Sequence, residues 1–159
     1  MPYIIVIIII VACCYLFYFS HTLRDMSIVR SNIDNQFYRV RNRNDKVLAA
    51  DTLAKLNRKI KILFDHMQKK NPNNKAVQRL IHKYNPRSLH ERPKDSKFTA
   101  YSIDKGKDIF ICVRDNNNGK VNMDLNSLVY VILHELSHVM TESEGHTKEF
   151  WKNYEFLLT

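Results

Sequence analysis

The stretch HELSHVMTESEGH, running from His134 to His146, restricts this 159-residue chain more than any other. Residues four apart share one face of a helix, so His134 and His138 can offer imidazole nitrogens to a single ion about 2.0–2.1 Å away. Glu135 lies about 100° round the same helix, beside such an ion without being its ligand, which is the place for a general base. Two ligands hold zinc poorly and the helix cannot supply a third, so the chain has to turn back on itself. Gly145 permits the reversal and His146 follows it at once. Glu142 and Glu144 are nearer alternatives for the third ligand, and Glu155 is a more distant one. His146 is preferred because an amphipathic helix follows it and gives the ring a rigid mount.

Zinc held by three side chains keeps a fourth position open and lowers the pKa of water there towards about 7. Glu135 is then the acid/base that takes the proton and passes it to a leaving amine. Tyr101, Tyr130 and Tyr154 are within sequence reach as oxyanion donors, and nothing in the sequence selects among them. His66, His82 and His90 have no comparable company and read as solvated side chains.

Around this motif the periodicity predicts two helices. Leu125, Leu128, Val129, Ile132, Leu136, Val139 and Met140 recur at helical spacing behind a cap at Asp124 or Asn126. A last helix opens at His146 or Thr147 and buries Phe150, Trp151, Tyr154, Leu157 and Leu158. Upstream, Phe98–Ile103 and Asp108–Arg114 carry β-formers on either side of DKGK and predict a hairpin, with a second turn at NNNGK. Earlier still, a helix from Asn44 or Asp45 to about Lys70 shows the stripe Leu53, Leu56, Ile60, Leu63 and Met67. A shorter helix follows from about Lys75 to Tyr84, and the two prolines of NPRSLHERPKDS predict an irregular loop.

The amino-terminal end is of a different kind. Tyr3 to Phe19 is free of charge and rich in isoleucine, about 26 Å of helix, and predicts a transmembrane anchor over residues 1–22. Leu23, Met26, Val29, Ile33, Phe37 and Val40 then suggest that the helix continues as a juxtamembrane stalk over 23–44, leaving 45–159 for the folded domain. Basic residues follow the apolar run and none precedes it, so the domain is expected on the cytosolic side of a single-pass membrane protein. Cys13 and Cys14 lie within the anchor and Cys112 is alone, so no disulfide framework is available.

The formal net charge of +9 draws the domain to anions without choosing between lipid headgroups, acidic proteins and nucleic acid. Nucleic acid has no motif to support it. Three glycines in the whole chain exclude a Gly-rich phosphate cradle.

VYVILHELSHV followed by EGHTKEFW resembles the WLM metallopeptidases, relatives of the SprT group, and the likeness extends upstream through YSIDKGKDIFICVRD to about residue 97. It is closest to small WLM-like proteins of large DNA viruses. The resemblance implies an α+β, minimal zincin-like domain with a small β-sheet and an active-site helix. It also implies Zn²⁺ on His134, His138 and His146, Glu135 as catalytic residue, and a protein or peptide substrate pairing with the strand DIFICVR. The chain lacks the zinc finger and the DNA- or ubiquitin-binding appendages of cellular members. The leading expectation is therefore a membrane-anchored zinc endopeptidase with a lipid bilayer and virion proteins as partners. The alternative is a structural virion or membrane-associated assembly protein that keeps the fold without turnover.

Overall fold

In the computed structural model, which describes residues 2–115, 118–121 and 124–159 but not the side chains of 2 and 18–24, the apolar run forms helix α1 (Pro2–Arg24). Residues 3–17 expose their side chains. Among the described residues no helix is long and apolar enough to cross a membrane, so the structure does not support the expected span over 1–22.

The next segment corrects the sequence reading. In place of a helical stalk over 23–44, the chain folds as an antiparallel hairpin of β1 (Met26–Arg30) and β2 (Phe37–Arg41). The turn between them decides the outcome. Asn35 takes a left-handed φ of 60°, Ser31 Oγ and the Asn32 amide each donate to Asp51 at 2.7 Å, and the Tyr38 hydroxyl donates to Asp34 at 2.6 Å. Asn and Asp stabilise such turns by bonding locally and by tolerating this backbone region. With the turn in place, Tyr38 and Val40 face the core while Ile28 and Phe37 face outward.

Asp45 precedes α2 (Lys46–Lys70), and Leu53, Leu56, Ile60 and Met67 of the predicted stripe are buried. Asp45 does not cap the helix with its side chain. Its carboxylate instead accepts two hydrogen bonds from Arg114 Nη1, at 2.5 and 2.6 Å. Asn74 caps α3 (Lys75–Lys83) by accepting from the amides of Ala76 and Val77.

The predicted irregular loop contains a strand. A 3₁₀ turn at Pro86–Ser88 leads into β3 (Leu89–Glu91), which joins β4 (Ala100–Ile103) and β5 (Asp108–Ile111) in a sheet ordered β3-β5-β4. Pro86 and Pro93 bracket β3, so neither removes a ladder hydrogen bond. β3 runs parallel to β5, and β4 pairs with β5 as the expected hairpin, shorter than predicted at its outer ends. The turn predicted at NNNGK falls partly outside the described residues, although Arg114 and Val121 do form a bridge across it.

His90, expected in solvent, is buried on β3, with Nε2 2.9 Å from the Asp108 carboxylate. Burial holds its pKa below the ordinary histidine value in spite of that carboxylate. His66 and His82 are exposed as expected. Beneath the sheet, Arg114 Nε donates to the buried Glu91 at 2.5 Å, and the Arg41 amide donates to the other Glu91 oxygen at 2.8 Å. Arg114 and Glu91 together thus link the hairpin, the residue before α2 and the sheet.

Asp124 caps α4 (Leu125–Met140) by accepting from the Asn126 amide, and Leu128, Ile132, Leu136 and Val139 place one side of the helix in the core. Thr147 caps α5 (Lys148–Leu158), whose Phe150, Tyr154 and Leu157 are buried. Trp151 and Leu158, predicted on the buried face, are 54% and 48% exposed, because the apolar face of α5 is narrower than its apolar composition.

Candidate metal centre

His134 and His138 stand one turn apart on α4 and are half-buried, with ring centroids 5.1 Å apart. His146 is exposed and comes in from the loop between α4 and α5, its ring centroid 4.9 Å from each of the other two. One ligand nitrogen from each of the three lies within 4.8 Å of the others. The Nε2 atoms of His134 and His146 are 3.0 Å apart, against roughly 3.3 Å for two nitrogens on a tetrahedral ion at 2.0–2.1 Å. Among the described residues this is the one such group of His, Cys, Asp or Glu. The alternative third ligands are engaged or remote: Glu142 pairs with Arg79, Glu144 lies 3.3 Å from Lys105, and Glu155 is exposed on the far part of α5.

The donor set suits a divalent cation. Burial, reinforced by the neighbouring His146, lowers the pKa of His134. The same cause, together with the other two rings and Lys105, takes His138 down to about 4. Both rings are therefore neutral at physiological pH, with lone pairs free to bind.

Beneath the three rings lies Phe150, fully buried, its centroid 4.9, 4.4 and 4.6 Å from those of His134, His138 and His146. It is a floor common to all three rings. The loop that carries His146 is held from three elements. From the β4–β5 turn, the Lys105 ammonium donates to the carbonyls of Thr141, Glu142 and Ser143 at 3.3, 3.2 and 2.6 Å. From α3, Arg79 donates to the Met140 carbonyl at 2.6 Å. Glu149 accepts from the amides of Glu142 and Ser143 at 3.0 and 3.2 Å. The carbonyls left over at the end of α4 thus meet cations, as helix C-termini favour. Gly145, at φ 75°, then makes the reversal that was expected of it.

The β4–β5 turn can reach that loop only because Gly106 has no side chain. A Cβ there would stand 2.5 Å from Val139 Cγ2, and φ is 94°. Lys105, Arg79 and the floor role of Phe150 escape sequence reasoning, since their partners are backbone carbonyls and rings distant in the chain. The visible signal is the DKGK turn, which carries three consecutive residues of positive φ from Asp104 to Gly106.

Glu135, about 100° round the helix from His134, faces β4 and is 5% exposed. Burial raises its pKa to about 7, while a hydrogen bond with Ser102 of β4 opposes the rise. A carboxyl with that pKa exchanges a proton readily at neutral pH. It borders a cleft of about 500 Å³ lined by Tyr101, Ser102 and Lys105 on one side and by the three histidines on the other. The strand along this cleft corrects an expectation. β5, which holds most of DIFICVR, is paired on both sides and has no edge to offer, whereas β4 is the edge strand of the sheet. Of the three tyrosines, Tyr154 stands against the three histidines, its ring 5.5 Å from that of His134. Burial, with Tyr130 beside it, raises the pKa of its hydroxyl, which therefore stays protonated. Tyr101 stacks on Phe110 at 4.9 Å.

Fold and site together define a small α+β protein of WLM-like fold with a three-histidine centre able to hold a metal ion. The fold is shared with the crystal structure of Wss1 from Saccharomyces cerevisiae, with a TM-score of 0.54 and 17% identity over 75% of this chain and 81% of that one. Within this class the chain belongs to the family of uncharacterized protein R325 of Acanthamoeba polyphaga mimivirus, with 35% identity over 141 residues, 86% of this chain and 71% of the relative. Uncharacterized protein 136R of Invertebrate iridescent virus 6 is 41% identical over 71 residues, 44% of this chain and 36% of that protein. No family model matches the chain.

Proposed function

We propose that the chain is a zinc-dependent endopeptidase in which His134, His138 and His146 hold the metal and Glu135 is the general acid/base. The observation that carries this reading is the convergence of three imidazoles beside a buried carboxyl whose pKa is raised to about 7. Zinc in such a site supplies Lewis acidity and makes water nucleophilic at neutral pH. Glu135 accepts the proton of the attacking water and returns it to the leaving amine, and Ser102 keeps the carboxyl oriented. An extended substrate adds to the free edge of β4 through main-chain hydrogen bonds, which places one of its carbonyls over the histidines. The Tyr154 hydroxyl donates to the developing oxyanion.

Membrane attachment belongs to the same proposal. The uncharged run from Tyr3 to Phe19 and the outward side chains of residues 3–17 support α1 as an attachment to a bilayer, with the domain on the cytosolic side. The viral relatives favour substrates among viral or virion proteins.

A cleavage assay on the purified chain with measured zinc content tests the enzymatic reading. Peptide hydrolysis by wild type is expected, lost in Glu135→Gln while zinc is retained. Full hydrolysis by Glu135→Gln would overturn it.

A further inference from the structure

Next to the cleft, on the amino-terminal side of His134, lies a second cavity of about 340 Å³. Its walls are Phe98, Tyr130, Val131, Trp151 and Tyr154. Phe98, Tyr130 and Trp151 are 68%, 58% and 54% exposed, although each is a large apolar side chain. Exposed aromatics scattered singly need no explanation, but a group of them round one concavity marks a binding site. The rings brace each other: Tyr130 packs edge-on against Tyr154 at 5.7 Å, and Trp151 lies 6.3 Å from Tyr154. Trp151 also lies against the candidate ligand His146, 5.8 Å away.

Two features define the occupant. Among the described residues no lysine or arginine lines the cavity, so an acidic side chain entering it would lose hydration without gaining a partner there. The cavity also shares Phe98, Ala100, His134 and Glu135 with the cleft over the histidines, so it opens beside the reacting centre. In a peptide lying along β4 the side chains would alternate between the two faces, and the concavity adjoins the start of β4 at Ala100.

We propose that this aromatic cavity is a specificity pocket, which takes one large apolar or aromatic side chain of the substrate directly beside the bond to be cut. The proposal rests on the peptidase reading for its role, but the pocket's ligand chemistry can be tested apart from turnover. Trp151 is the one tryptophan of the chain and stands in the wall, so its emission reports occupancy.

The experiment uses the full chain in phosphatidylcholine vesicles, loaded with zinc and carrying Glu135→Gln. It is titrated with the blocked tetrapeptides acetyl-Ala-Phe-Ala-Ala-amide and acetyl-Ala-Gly-Ala-Ala-amide. The phenylalanine peptide is expected to shift Trp151 emission saturably and the glycine peptide is not. Phe98→Ala and Tyr130→Ala, checked for folding by circular dichroism, are each expected to weaken the phenylalanine peptide about tenfold or more. In wild type, a library of quenched peptides is expected to show kcat/KM about tenfold or more higher for Phe, Leu or Met than for Gly or Asp at one position flanking the cut. Saturable binding without cleavage of any peptide would leave the pocket standing and remove the peptidase reading. Cleavage without preference and with no emission change would remove the pocket. Displacement of the phenylalanine peptide by oligothymidylate, with salt-sensitive quenching of Trp151, would show a nucleobase platform instead and overturn the proposal.

Discussion

The candidate centre takes two of its histidines from a helix and the third from a loop, and the two sources are held by different forces. His134 and His138 owe their mutual position to helix geometry alone, since residues four apart share a face whatever surrounds them. His146 owes its position to tertiary bonds, from Lys105 on one hairpin turn, Arg79 on α3 and Glu149 on α5. Together they bond the last carbonyls of α4 and the amides that follow. Local sequence can therefore specify two-thirds of a metal site, while the remaining third depends on the whole fold being in place.

The contrast is broken most severely at the one element both sources share. Phe150→Ala removes the floor under all three rings and is expected to cost about 3–5 kcal/mol of stability, read from denaturant midpoints, with zinc affinity lost as well. Lys105→Ala should act only on the loop. It removes three charge-assisted hydrogen bonds for about 1.5–3 kcal/mol, and isothermal titration is expected to show zinc affinity lower by about 10- to 100-fold, as for other supports of metal ligands. Lys105→Arg should restore part of it. Gly106→Ala is a milder form of the same injury, with a left-handed backbone and a contact with Val139 costing about 1–2 kcal/mol in a thermal melt.

The smallest expected effect is the pH dependence of the metal-free protein, because two groups oppose each other. Glu135, raised to about 7 by burial, contributes stability that is present below about 4.5 and lost as pH climbs through 7. His138, lowered to about 4, contributes stability that is present above about 6.5 and lost as pH falls through 4. Glu135→Gln leaves the second slope alone, so the variant should gain stability relative to wild type on moving from pH 4 to pH 8. Chemical denaturation at the two values reads the difference.

The same division between local and tertiary causes explains what could be read in the sequence. The helices α2 to α5, the β4–β5 hairpin and the three histidines were legible because each announces itself by period, cap or turn chemistry over a few residues. The β1–β2 hairpin was not. Its apolar residues fall at spacings of three and four that suit a helix, and only the bonds from Ser31 and Asn32 to Asp51 of α2 decide otherwise. β3 is three residues long, too short for any period, and its existence depends on pairing with a strand some twenty residues later. Strand order was equally hidden. DIFICVR has the strongest β character in the chain, yet that very character places it at the centre of the sheet and gives the free edge to β4.

Zinc titration of wild type alongside His134→Ala, His138→Ala and His146→Ala is the most direct measurement of the central claim. One zinc ion per wild-type chain is predicted, with affinity collapsing to a similar degree in all three variants. A His146→Ala protein that binds zinc as tightly as wild type would contradict the account, for the loop and everything that holds it would then have no part in the centre.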